Sequence, residues 1–166
     1  MEKELNDELK QFEITALNEK AENAVAVAAV AAGVTGAVPI PFADAPILIG
    51  EQVALMATIC GIYGIDVGKD GLKMLATTAL SAGGAAFAGK TIATNLLKCV
   101  PGAGTVMGGA ISTGTAGVVT LAMGKAFIEV CKMVRLGKLS ESELTGKKGI
   151  AAMKGKFKEQ LKKNKK

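Results

Sequence analysis

The chain is 166 residues long, enough for one domain with a sizeable core. It has no histidine, which removes the commonest general base, proton switch and zinc ligand at once. Its three cysteines, Cys60, Cys99 and Cys131, are scattered in apolar runs without a CxxC pair, so they support neither a zinc site nor a disulfide framework and read as buried thiols in a reducing compartment.

The apolar share is 49%, but it is made of small residues: there are 21 glycines, no tryptophan, one tyrosine and five phenylalanines. A core of this kind gains by close backbone approach and dispersion contact more than by large side chains. The net charge of +5 is unevenly spread. Met1 to Glu22 holds seven acids and three bases, unlike the basic start of a secretory signal, while Lys147 to Lys166 holds nine lysines and one glutamate. Such a basic end suits anionic lipid. It offers one aromatic, Phe157, and no arginine, so base stacking and bidentate base reading are missing and nucleic acid is not an expected partner.

Glu2 to about Val38 reads as the first helix. Its first half is charged, with Leu5, Leu9 and Phe12 as sparse apolar positions, and its second half is an uncharged Ala/Val run. Pro39-Ile40-Pro41 stops it. A second helix starts at Asp44, with Pro46 in the tolerated first turn and Leu48, Leu55, Ile59 and Ile62 as an apolar stripe. Gly61 and Gly64 are expected to end it, and Gly68 to Gly71 to form a turn. A third helix is expected from about Leu72 to Ser81, bent or broken at Gly83-Gly84 and continued from Ala85 to Cys99. The fourth unit, Gly102 to Arg135, carries a strip of small residues: Gly104, Gly108, Ala110, Gly114, Gly117 and Gly124. Small residues at this spacing let a helix lie very close to a neighbour, as in membrane helix pairs. Gly137 is its expected stop. Ser140-Glu141-Ser142-Glu143 fits a capping box that opens a last basic helix, in which Leu144, Ile150, Met153, Phe157 and Leu161 give an apolar face.

Two uncharged stretches, Asn23 to Ala43 and Cys99 to Gly124, are long enough to span a bilayer, although prolines in the first and seven glycines in the second weaken that reading. Gly84-Ala-Ala-Phe-Ala-Gly89-Lys90-Thr91 matches the phosphate-loop pattern letter for letter. The chemistry of that motif needs a preceding strand and a downstream aspartate for magnesium, and no aspartate follows Asp70. An Ala/Gly helix with one lysine is the better reading, and no cofactor is expected. Asp44 and Glu51 share one face of the second helix; with Gln52 and Tyr63 they form a candidate polar interface rather than an acid–base pair.

Val38-Pro-Ile-Pro-Phe-Ala-Asp44, Glu51-Gln52-Val-Ala-Leu-Met56, Ile62-Tyr63-Gly64-Ile65, Leu97-Lys-Cys-Val-Pro-Gly-Ala-Gly-Thr105, Gly108-Gly-Ala-Ile-Ser112 and Gly124-Lys-Ala-Phe127 are unusual strings. Over about residues 20–160 they resemble an uncharacterised helical domain family of bacteria. That domain lies C-terminal to Era-like small GTPase domains and occurs in YcjF-type inner-membrane proteins. A fainter likeness, Asp44, Leu48 and Tyr63-Gly64-Ile65, is to the helical domain of immunity-related GTPases. The resemblance implies a membrane-associated or GTPase-coupled module without catalytic residues; with no GTPase domain preceding it here, the expectation is a GTPase acting in trans or a chain that works alone.

The expectation is therefore an all-α, Ala/Gly-rich compact bundle of about five helices, with membrane embedding left open. It divides into a charged N-terminal helix (1–22), a helical core (23–137) and a basic C-terminal helix (138–166). Function is expected as a membrane-associated adaptor at the cytoplasmic face, with Lys154, Lys156, Lys158, Lys162 and Lys163 facing lipid. The alternative is a cytoplasmic, soluble scaffold that homo-oligomerises through its Gly/Ala faces.

Overall fold

The computed structural model describes residues 1–35, 44–87 and 109–163. Among them every regular element is a helix: α1 (Glu2–Thr35), α2 (Asp44–Tyr63), α3 (Lys69–Phe87), α4 (Gly109–Arg135), the single turn α5 (Glu141–Leu144) and α6 (Lys147–Lys163). The centre of the bundle is α4, which packs on α1, α2 and α6 and touches α5. Around it α1 leans on α2, α2 on α3, and α3 on α6. Val119, Ala122, Met123, Ala126, Phe127, Ile128, Val130 and Cys131 of α4 are all buried, as a helix enclosed on most sides requires.

Helix ends follow local chemistry. At the end of α2, Gly64 adopts φ +64°, its N–H donates to the Gly61 carbonyl and the Ile65 N–H reaches back to the Cys60 carbonyl at 2.9 Å. At the end of α4, Gly137 does the same at φ +70°, with the Lys138 N–H on the Met133 carbonyl at 2.8 Å. Both are left-handed glycine stops that satisfy orphan carbonyls. Gly61 by contrast is an ordinary residue inside α2.

Three details differ from the sequence expectations. First, α3 begins at Lys69, so the expected turn at Gly68 to Gly71 is mostly its first turn, with Asp70 suited to the positive helix end. Second, α3 runs through Gly83-Gly84 to Phe87 without a break; the flanking alanines, good helix formers, carry the helix across. Third, the capping box is real but opens the one-turn α5: Ser140 Oγ accepts from the Glu143 N–H at 3.2 Å and Glu143 Oε2 accepts from the Ser140 N–H at 3.1 Å. The basic helix starts afresh at Lys147. The expected stop at Pro39-Ile40-Pro41, the continuation to Cys99 and the segment Gly102 to Gly108 lie outside the described residues.

The basic helix is part of the core as much as a tail. Its Met153 and Phe157 are buried, as is Leu144 of α5, and Gly149 fits directly over α5. A Cβ at Gly149 would stand 1.8 Å from the Leu144 carbonyl oxygen, so only glycine permits this corner. Among the described residues no helix is long and apolar enough to cross a membrane.

Candidate functional site

Of the small-residue strip, Gly104 and Gly108 lie outside the described residues, and Ala110 and Gly114 stand in the first two turns of α4. Gly117 and Gly124 both face α1. A Cβ at Gly117 would lie 3.1 Å from the Ala29 carbonyl oxygen and 3.8 Å from the Gly33 Cα; one at Gly124 would lie 2.5 Å and 2.7 Å from the Val25 methyls. The close helix approach at these two positions is thus made within one chain. An ion pair between Arg135 and Glu13 closes the far end of the same seam.

The polar candidates separate. Asp44 opens α2, two turns before the half-buried Glu51. Gln52 is fully buried and its Nε2 donates to Thr120 Oγ1 of α4 at 2.8 Å, which ties α2 to the centre of the bundle. Among the described residues its Oε1 has no hydrogen-bond partner. The buried Tyr63 hydroxyl donates to Asn18 Oδ1 of α1. Burial, and after it the field of the Glu129 and Glu22 carboxylates, raises the phenol above its ordinary titration range, so it stays a donor. Gln52 and Tyr63 therefore fasten helices, each through a partner, Thr120 or Asn18, that the sequence alone did not single out.

Between α1 and α2 runs an open groove of about 540 Å³, lined by Val27, Ala28, Ala31 and Leu55 among others, with Asn23, Glu51, Thr58 and Thr120 as its polar members. Such walls suit an apolar ligand and present no nucleophile–base pair. Among the described residues no cluster of three His, Cys, Asp or Glu side chains could hold a metal. Cys60 and Cys131 are buried free thiols; the neighbouring Cys60 thiol and burial raise Cys131 and keep it protonated. Cys99 lies outside the described residues. Of the phosphate-loop look-alike, Gly84 to Phe87 are helix in α3, where the motif requires a loop; Gly89, Lys90 and Thr91 lie outside the described residues.

The lysines of α6 divide by their pairing. Lys156 and Lys163 both engage Glu159, at 3.3 Å and 3.4 Å, and Lys148 engages Glu143 at 2.5 Å. Lys154, Lys158 and Lys162 recur every fourth residue on one side of the helix, and no acid pairs with them among the described residues. This row of positive charge is rooted on a helix whose other side holds Met153 and Phe157 in the core, so its direction is fixed by packing.

Comparison with curated proteins and with solved structures returns no match. The family described as Domain of unknown function (DUF697) matches residues 1–166, from end to end of the helical chain. The protein belongs to the DUF697 family.

Proposed function

We propose that this protein is a non-catalytic helical adaptor that sits on the cytoplasmic face of a membrane, holding anionic lipid through α6 and serving a small GTPase in trans. The observation that carries the lipid part is the row Lys154, Lys158 and Lys162, with the exposed ends of Lys156 and Lys163 beside it, on a helix anchored by Phe157. Each lysine near an anionic leaflet contributes about 1 kcal/mol, enough in sum for salt-sensitive binding. The GTPase part is supported by the resemblance to domains that follow Era-like GTPases and occur in YcjF-type inner-membrane proteins. The groove between α1 and α2 provides apolar surface for a protein segment.

Co-sedimentation with vesicles tests the lipid part. Binding to vesicles rich in phosphatidylserine or cardiolipin, absent on neutral phosphatidylcholine vesicles and lost in K154E/K158E/K162E, is the expected result. Equal binding to both vesicle types, or to neither, contradicts it. Nucleotide-dependent retention of a small GTPase on the immobilised chain tests the second part, and no difference between GTP- and GDP-loaded forms removes it.

A further inference from the structure

The helix α1 is apolar on two opposite sides. One side holds Ile14, Ala21, Val25 and Ala32, all buried. At about 100° per residue, Leu5, Leu9, Phe12, Val27 and Val30 stand close to 180° from that side. Leu5, Leu9 and Phe12 are 57%, 59% and 78% exposed. The first three turns, residues 2–13, form an arm that is exposed throughout. The arm carries five acids and two lysines beside its apolar stripe.

A second surface has the opposite character. Helix α6 carries seven lysines and one glutamate, and that glutamate is already engaged by Lys156 and Lys163. Its outward side presents Lys147, Lys158 and Lys162 around the exposed Ala151 and Gly155. At Gly155 an added Cβ would meet nothing within 4 Å, so a neighbouring helix can approach closely. The arm is about 18 Å long and α6 about 25 Å, so the shorter lies fully along the longer.

We propose that the acidic arm of one copy docks on the lysine side of α6 of a second copy, with Leu9 and Phe12 over the Ala151–Gly155 notch. The second copy is required because α1 is one unbroken helix from Glu2 to Thr35, whose buried half is fixed on α4; the arm cannot turn back onto its own α6 without breaking that helix. Arm-on-arm pairing would set like charges together, whereas arm on α6 sets acids against lysines. Gly117 and Gly124 play no part in this contact, being covered within the chain. The inference does not rest on lipid binding, and since both use the α6 lysines, arm and lipid compete for one surface.

Sedimentation velocity of the full chain without lipid, over a range of concentrations and salt, tests it. The expected result is concentration-dependent association that weakens as salt rises. Two charge-reversed chains make the test specific: E2K/E4K/D7K/E8K in the arm and K147E/K154E/K158E/K162E in α6. Each alone should stay monomeric with unchanged helical circular dichroism, and an equimolar mixture should associate again, because each reversed surface then finds its complement. A wild-type chain that is monomeric at every concentration overturns the proposal, as does a mixture that stays monomeric. Loss of association in L9K/F12K but not in the α6 reversal also overturns it, since the arm would then be docking elsewhere.

Discussion

The two halves of α1 belong to one helix and obey different rules. From Ile14 to Ala32 its inward side is small and aliphatic, and it presses on the glycines of α4 closely enough that Gly124 has no room for a Cβ beside Val25. From Glu2 to Glu13 it is charged and exposed, with the Glu13–Arg135 ion pair at its inner end. Helix formation is common to both halves, so propensity is not what separates them. The second half is stable because α4 offers a matching glycine surface; the first half is helical as an extension of it, since elongation of an existing helix is easy where nucleation is costly.

The sharpest way to break the packed half is Gly124→Leu. The new side chain would occupy the space of the Val25 methyls and push α1 off α4, costing about 3 kcal/mol. Thermal unfolding should then fall by about 6–12 °C. Gly124→Ala should cost only about 1 kcal/mol, because the better helix propensity of alanine offsets part of the clash. Equal melting of all three chains would show that the seam is looser than described.

Tyr63→Phe sharpens the comparison at the α1–α2 contact. Loss of the bond to Asn18 should cost about 1 kcal/mol. The folded phenol titrates above its ordinary value of 10.0, while the unfolded phenol titrates near it. The stabilisation is therefore complete below that pH and is lost as pH rises beyond it. Urea unfolding of the wild type should weaken on that alkaline limb, and Tyr63→Phe should flatten it.

In the exposed half, Leu9→Ala and Phe12→Ala should change stability by no more than about 0.5 kcal/mol, although the same two changes from large to small in a core would cost several times more. The smallest effect belongs to the exposed corner at α5. Lys148, then the Ser140 N–H and hydroxyl, hold the Glu143 carboxyl down to about 2, from an ordinary 4.5. The cap is intact above that ordinary value and loosens as pH falls toward 2, which amide exchange at Glu143 should report while global melting hardly moves.

The same contrast explains what could be read from the sequence. The helices, the glycine stops at Gly64 and Gly137 and the capping box at Ser140 are local, so residue chemistry marks them. Which side of α1 is buried is not local: Leu5, Leu9 and Phe12 look as apolar as Ile14 and Val25, and only the position of α4 decides between them. Gly149 was equally invisible, because its need for glycine comes from the Leu144 carbonyl of another helix. The small residues of α4 announced a close approach, but Gly117 and Gly124 acquire their partner, α1, only in three dimensions. Within the candidate site the lysine row was legible as charge, and its division into paired and unpaired lysines was not.

The most direct test of the account is where the protein resides in a cell that makes it. Lysate prepared without detergent should be separated into cytosol and membranes, and the membranes then washed with alkaline carbonate. The account predicts that the protein sediments with the membranes before the wash, carrying the K154E/K158E/K162E chain with it far less. Recovery of both chains in the cytosol would contradict it.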